Sequence, residues 1–313
     1  MSDLDTVFQD DWPEHHRSGV VAVVGRPNVG KSTLINRLLG QKIAIVTPRP
    51  QTTQRQQIGI YSTQDVQILF VDTPGLHRPG HKLGEYMVTV AEQALRDADL
   101  ILWLLDVSAP PQTGDQHIAE TVNRLRGDTP VILALNKVDL TDAETSSTHR
   151  ASYLDLTPHT GDFLISALEG VGVDALMNAI IEHLPLGPRY YPIDQVSEAN
   201  MRFIAAEVVR EKIMLNTTQE IPHAVAVAIE EFKERSEDLS YISATIYVER
   251  ESQKGIIIGK GGSMIKTIGA EAREELAAML GTKVYLELNV KVRKNWRSNY
   301  KLMARLGYRL SDK

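Results

Sequence analysis

Gly25-Arg26-Pro27-Asn28-Val29-Gly30-Lys31-Ser32 is the stretch on which the fold of this 313-residue chain turns. It follows an apolar run, Val20 to Val24, and opens a segment of helical spacing from Thr33 to Leu39. A strand, a glycine-rich loop spaced G-x-x-x-x-G-K-[ST] and a helix together make a phosphate cradle. The glycines let backbone N–H groups curl round an anion, and the helix N-terminus adds the positive end of its dipole. Lys31 is placed to reach the β- and γ-phosphates and the Ser32 hydroxyl to bind magnesium.

Length and composition frame that loop. The chain is long enough for two domains, and its 42% hydrophobic and 24% charged residues are ordinary for a soluble globular protein. There are no cysteines, which excludes disulfides and cysteine-ligated zinc. A net charge of −6 argues against nucleic-acid binding by the whole surface, but an average can hide a basic domain. Residues 1–17 are polar and acidic, lack the pattern of a signal peptide, and read as a disordered leader.

From residue 18 to 186, apolar strands alternate with helical segments, which predicts a P-loop domain: a mixed, mostly parallel sheet with helices on both faces. In such sheets ligands bind at the carboxyl ends of the strands. Three further motifs fall at strand ends. Asp72-Thr73-Pro74-Gly75-Leu76 offers a carboxylate for magnesium and a glycine N–H for the γ-phosphate. Asn136-Lys137-Val138-Asp139 selects the base. Guanine presents two adjacent donors that one carboxylate accepts together, whereas adenine would leave Asp139 unpaired. In Ser166-Ala167-Leu168, the Ala167 N–H is the candidate for guanine O6. Residues 42–56 form a polar, proline-broken loop in which Thr53, with Thr52 as the alternative, is placed to join magnesium only when the γ-phosphate is present.

Residues 187–199, rich in proline and polar groups, read as a linker or a strapping segment. From 200 to 313 the order changes to α-β-β-α-α-β plus a terminal helix, an α+β domain. Ile258-Gly259-Lys260-Gly261-Gly262-Ser263, with Lys266 one turn on, is a G-x-x-G loop between two helices, which packs a nucleic-acid backbone against bare main chain. The last stretch, Lys283 to Arg309, has eight basic residues and only Glu287 as an acid. Lys291, Arg293 and Lys294 are candidate phosphate contacts, and Trp296 is a candidate stacking platform. A KH-like domain that binds protein, and an RNA module with a merely structural nucleotide, are the competing readings.

The segment Gly25 to Leu168 resembles a translation-factor-type GTPase domain. Leu76 stands where Ras-type signalling GTPases have a glutamine that orients water. The resemblance is to the subgroup with a hydrophobic residue there, in which the loop asparagine, here Asn28, helps hold a potassium ion. With Gly259-Lys260-Gly261-Gly262 in a type II KH order, the chain resembles the Era family of bacterial GTPases over residues 18–309; Gln51-Thr52-Thr53 and His77 fit as well. That resemblance implies GTP/GDP, Mg2+ and K+ as cofactors, with Asn28, Lys31, Thr53 and Gly75 serving hydrolysis. It also implies binding to the 3′ end of small-subunit ribosomal RNA, a role in 30S subunit maturation, and a cytoplasmic location partly peripheral on the inner membrane. The expected form is a monomer.

Overall fold

In a computed structural model, the described residues run from 12 to 309, except 48, 50–51, 77–79, 199, 219–220, 237 and the side chain at 223. Gln51, His77 and the first eleven residues of the expected leader lie outside them. The rest of that leader is not loose. His16 is buried, its Nδ1 lies 2.7 Å from the Gly187 carbonyl, and the first strand begins at Arg17. The partner lies 171 residues away, which is why the segment reads as polar leader in the sequence.

The chain divides into two compact units. One gathers the residues up to Lys42, Gln56–Leu76 and Ala91–Glu198; the other gathers Ile43–Arg55, His77–Val90 and Ala199–Lys313. The first unit is built on six strands: β1 (Arg17–Val24), β2 (Gln57–Ser62), β3 (Val66–Asp72), β4 (Leu100–Asp106), β5 (Val131–Asn136) and β6 (Gly161–Ile165). Their order is β2-β3-β1-β4-β5-β6, parallel except for β2. The central strands are apolar along their whole length because helices cover both faces; Leu100 to Leu105 have no exposed surface. The helices are α1 (Lys31–Leu39), α3 (Thr113–Leu125), α4 (Ala143–Leu154) and α5 (Val173–His183), with the last turns of α2 (Lys82–Arg96), whose residues up to Val90 fall in the second unit. Residues 185–198 run along this sheet as a strap. Pro185 O accepts from Ser18 N, Val196 O accepts from Ile60 N, and the Gln67 side chain bonds the main chain of Tyr190 and Tyr191.

The second unit holds α6 (Met201–Asn216), α7 (Ile221–Ala224), β7 (Ala226–Ser236), β8 (Leu239–Val248), α8 (Glu251–Ile258), α9 (Ser263–Leu280), β9 (Lys283–Val292) and α10 (Tyr300–Arg305). Asn200 caps α6, accepting from Phe203 N at 2.9 Å. The sheet order is β7-β8-β9, antiparallel then parallel. Helices α6, α8 and α9 cover one face through Val209, Ile213, Ile257, Ile268 and Leu276. Part of the second face is covered by Trp296, Met303 and Tyr308, packed with Ala226, Leu83 and Met87. The helix expected over Trp296–Leu306 is broken. A 3-10 turn spans Trp296–Ser298, and Asn299 then caps the short α10.

The loop 43–55 is fastened within this second unit. Val46 N donates to Glu211 Oε1 at 2.9 Å, Tyr308 Oη donates to Gln54 Oε1 at 2.8 Å, and the buried Arg210 guanidinium holds the Thr52 carbonyl while pairing with Glu207.

Candidate functional site

The phosphate loop is pre-shaped by buried contacts. Gly25, Asn28 and Gly30 all have positive φ, at 150°, 63° and 106°. A Cβ on Gly30 would lie 2.3 Å from Asn136 Nδ2, so the loop closes only over a glycine. Asn136 explains the crowding. Its Nδ2 donates to Val29 O at 2.7 Å, and its Oδ1 accepts from Ala167 N at 2.8 Å. One side chain thus bolts the phosphate loop to the base loop. The Ala167 N–H expected for guanine O6 is therefore already engaged, and a base would share it.

Lys31 is buried, and its Nζ donates to the carbonyls of Gly25 and Arg26, both at 3.0 Å. Burial pushes its pKa down to about 8, with the Asp72 carboxylate opposing the shift. An ammonium held only by carbonyls in a dry site is a receptor for anionic oxygen. Ser32 Oγ donates to Asp72 Oδ2 at 2.8 Å, which pairs the two oxygens expected to serve magnesium. Thr73 Oγ1 ties the same segment to Val23 O at 2.8 Å, and Gly75 packs on the Pro27 ring, where a Cβ would come within 3.1 Å. Leu76 is buried. The Arg26 side chain is taken by Asp115 and Gln112, both at 2.8 Å, so this residue offers only its main chain to a ligand.

At the base end, Asp139 is exposed, while Lys137 has φ 73° and its Nζ meets Asp106 Oδ2 at 2.5 Å. Asp106 is itself held by Ser108, and these donors keep its carboxyl below the usual range even though burial acts the other way. The Lys137 stem is thereby fixed where it can cover a ring plane. Sequence reasoning missed Asp106, and it missed Arg37. Arg37 Nε on α1 donates to Ala167 O at 2.6 Å and its Nη2 to Leu168 O, so it pins the base loop from below. Neither carries a motif; only the fold brings them in.

Thr53 is buried, and it belongs to the second unit's loop. The Thr52 hydroxyl is held locally by Thr47 Oγ1 and Arg49 O, at 2.8 and 2.7 Å.

In the second unit, Gly259, Gly261 and Gly262 all have positive φ, and Lys260 is exposed beside them. A Cβ on Gly261 would meet nothing within 4 Å, so the loop presents open main chain at the start of α9. Next to it lies a groove of about 320 Å³ between α9 and β9, lined by Ile265, Lys266, Gly269, Arg273, Leu286 and Leu288. An apolar floor with cations at its rim suits unstacked bases and their phosphates. The sequence named Lys266 but not the groove's apolar members, which look like plain core in an alternating strand. Ile258, at the end of α8, is half-buried, and Ser263 opens α9. Lys291, Arg293 and Lys294 are exposed. Trp296 is not a stacking platform: it has no exposed surface, its Nε1 donates to Ala224 O at 3.0 Å, and its ring stacks on Tyr308. An indole among basic residues became core because it closes the second face of the sheet.

Comparison with known proteins agrees with both halves. Residues 20–137 match the family model described as 50S ribosome-binding GTPase, and residues 220–297 match the KH domain model. A tyrosine-to-alanine variant of Era from Aquifex aeolicus, bound to GDP.AlF4-, is 39% identical; the match covers 94% of this chain and 100% of that one, with a TM-score of 0.90. Era in complex with MgGDPNP and nucleotides 1506–1542 of 16S ribosomal RNA is 38% identical over 95% of this chain and 100% of that one, with a TM-score of 0.89. The phosphate cradle, the guanine motif and the open glycine loop thus occur together in a chain that aligns with Era over nearly its whole length, and the chain belongs to the Era family of GTPases with a KH domain.

Proposed function

We propose that this protein is a GTP-hydrolysing switch that binds the 3′ end of small-subunit ribosomal RNA and assists maturation of the 30S subunit. One observation carries the reading: a guanine-selective phosphate cradle and an open G-x-x-G groove are built into the same chain. The likeness to an Era structure holding 16S ribosomal RNA supports the choice of RNA.

The residues present fit magnesium and a guanine nucleotide. Ser32 Oγ and the Asp72 carboxylate are adjacent hard oxygens, as magnesium requires. Magnesium would neutralise charge developing on the transferred phosphoryl group. Lys31 would exchange its two carbonyl partners for the β- and γ-phosphates, and the Gly75 N–H would meet the γ-phosphate. Asp139 would read guanine. Thr53 would join the cation in the triphosphate state only.

Leu76 has no group to orient water, so intrinsic turnover is slow. Asn28, exposed and held at φ 63° on the loop, would supply an oxygen to potassium, which does part of the work of an arginine finger. RNA affinity is higher with GTP than with GDP, and hydrolysis permits release. Nucleotide gates RNA only by as much as its affinity differs between two conformations. The protein acts as a monomer in the cytoplasm. No helix among the described residues is long and apolar enough to cross a membrane.

Two measurements test this. GTP turnover in potassium and sodium buffers should differ severalfold, and Asn28→Ala should abolish the difference; equal rates remove the potassium role. Affinity for a 3′-end ribosomal RNA oligonucleotide should be higher with a non-hydrolysable GTP analogue than with GDP. Identical affinities would remove the switch, and no binding in either state would remove the RNA reading.

A further inference from the structure

Among the described residues, the hydrophobic cover of the second face of the β7-β8-β9 sheet gathers at one end. Trp296 and Tyr308 close the end near Ala226 and Tyr247. At the other end an aromatic stack stands in solvent. Tyr241 of β8 and Tyr285 of β9 are register partners, with ring centroids 5.8 Å apart and planes tilted by only 20°. The Arg235 guanidinium of β7 lies 4.3 Å from the Tyr241 centroid. In strand order the stack therefore runs Arg235, Tyr241, Tyr285, and stops at β9, the edge of the sheet. Tyr285 is 61% exposed.

An exposed tyrosine at the end of a stack, on an edge strand, offers a flat face on which no ring or cation among the described residues stacks. The inner ring is held in place: Tyr241 Oη donates to Glu287 Oε2 at 2.8 Å, and Glu287 also accepts from Asn289 Nδ2 at 3.1 Å. The single carboxylate on this side of β9 is thus engaged, and the same side carries the exposed Lys283 and Lys291. On the opposite side of the same strand, Leu286 and Leu288 line the groove beside the glycine loop, with Lys266 and Arg273 across from them. Cations therefore flank the β9 edge on both faces, with the ionised Glu287 between Lys283 and Lys291 on one of them. Tyr285 and Leu286 are consecutive, but their side chains leave on opposite faces, so a strand of RNA passes from the groove to the Tyr285 ring by turning round the β9 edge.

We propose that single-stranded RNA occupying the groove continues round the β9 edge, and that a base beyond those in the groove stacks on Tyr285 as the fourth member of the Arg235–Tyr241–Tyr285 stack. Stacking of this kind tolerates any base, because every base has a π face. The site lengthens the RNA footprint without adding sequence readout at that position. This inference rests on the RNA-binding reading above, and the test separates the two.

The experiment is fluorescence anisotropy on the full chain with magnesium and a non-hydrolysable GTP analogue, using labelled single-stranded RNAs of four and ten nucleotides. Tyr285→Ala is expected to weaken the ten-nucleotide RNA about tenfold, the usual size of one stacking contact, and to leave the four-nucleotide RNA within twofold. Tyr285→Phe keeps the ring and should retain wild-type affinity. Short-wavelength crosslinking of the longer RNA should mark the peptide containing Tyr285. Equal loss on both RNAs, no loss on either, or failure of Tyr285→Phe to rescue would overturn the stack. So would a wild-type dimer in sedimentation that Tyr285→Ala dissociates, since the edge would then serve a second copy. If neither RNA binds the wild-type protein, the RNA reading itself falls.

Discussion

Gly30 and Gly261 are alike in conformation and opposite in surroundings. Both sit at positive φ, 106° and 62°, in a loop that leads into a helix. Yet a Cβ on Gly30 would be 2.3 Å from Asn136 Nδ2, whereas one on Gly261 would meet nothing within 4 Å. The first loop is shaped from inside by the protein and waits for a small anion of fixed geometry. The second is bare on the outside, which suits the polymer backbone proposed to bind there. The same residue type is demanded by the fold in one case and by the ligand in the other, so mutations should separate stability from binding in opposite ways.

Gly30→Ala should have the largest effect. It combines a left-handed backbone with a clash against a side chain fixed at both ends, and should cost roughly 3 kcal/mol or more of stability as well as at least a hundredfold in nucleotide affinity. Chemical denaturation and nucleotide titration measure the two. A folded variant with near-normal affinity would show that the loop is softer than its contacts indicate. Asn136→Ala follows. It strands the Val29 carbonyl and the Ala167 N–H together, about 1–3 kcal/mol for buried groups left unsatisfied, and should raise the GDP dissociation constant while relaxing the preference for guanine over adenine nucleotides. Unchanged selectivity would show that Asp139 alone positions the base.

Lys31 gives the inner loop a pH signature. Its unfolded value is near 10.5 and its folded value about 8. Between those values the unfolded chain holds a proton that the folded chain has lost, so the stability of the nucleotide-free protein should rise with pH from about 8 to 10.5. Lys31→Met should flatten that rise, which is on the order of 1–3 kcal/mol. Nucleotide restores the charge, and binding near pH 8 should therefore take up a proton, visible by calorimetry in buffers of different ionisation enthalpy. A slope shared by wild type and variant would place the titration elsewhere.

The comparison also explains what the sequence made legible. The inner loop is a local pattern, and phosphate chemistry constrains its residues tightly enough that spacing suffices. What escaped depends on distant partners. Arg210 reaches the Thr52 carbonyl across 158 positions, so nothing near Thr52 indicates that its loop is held within the second unit. His16 is buried through Gly187 in the same manner. Trp296 misled because aromatics among lysines fit a nucleic-acid surface and the lid of a core equally well. Only the topology, which leaves half of one sheet face needing cover, decides between them. Trp296→Ala should accordingly lower stability by about 3–5 kcal/mol, with any loss of RNA affinity following from unfolding.

The smallest expected cost in stability is at Gly261, and it is the most discriminating. Alanine there meets no atom, so only the left-handed backbone is penalised, about 1 kcal/mol. Gly259→Ala should cost more, because its Cβ would lie 2.7 Å from Met264 N. If the outer loop exists to receive a nucleic-acid backbone, Gly261→Ala should nevertheless reduce RNA affinity severalfold, since the methyl group stands where the phosphodiester would pack, and Gly261→Asp should reduce it further by adding like charge. GTP turnover without RNA should be unaltered in both. The pattern to look for is a variant nearly as stable as wild type that hydrolyses normally and binds RNA poorly. Gly261→Ala with full RNA affinity would mean that the openness above the loop is not where RNA lies, and the likeness between the two glycine loops would then extend to conformation only.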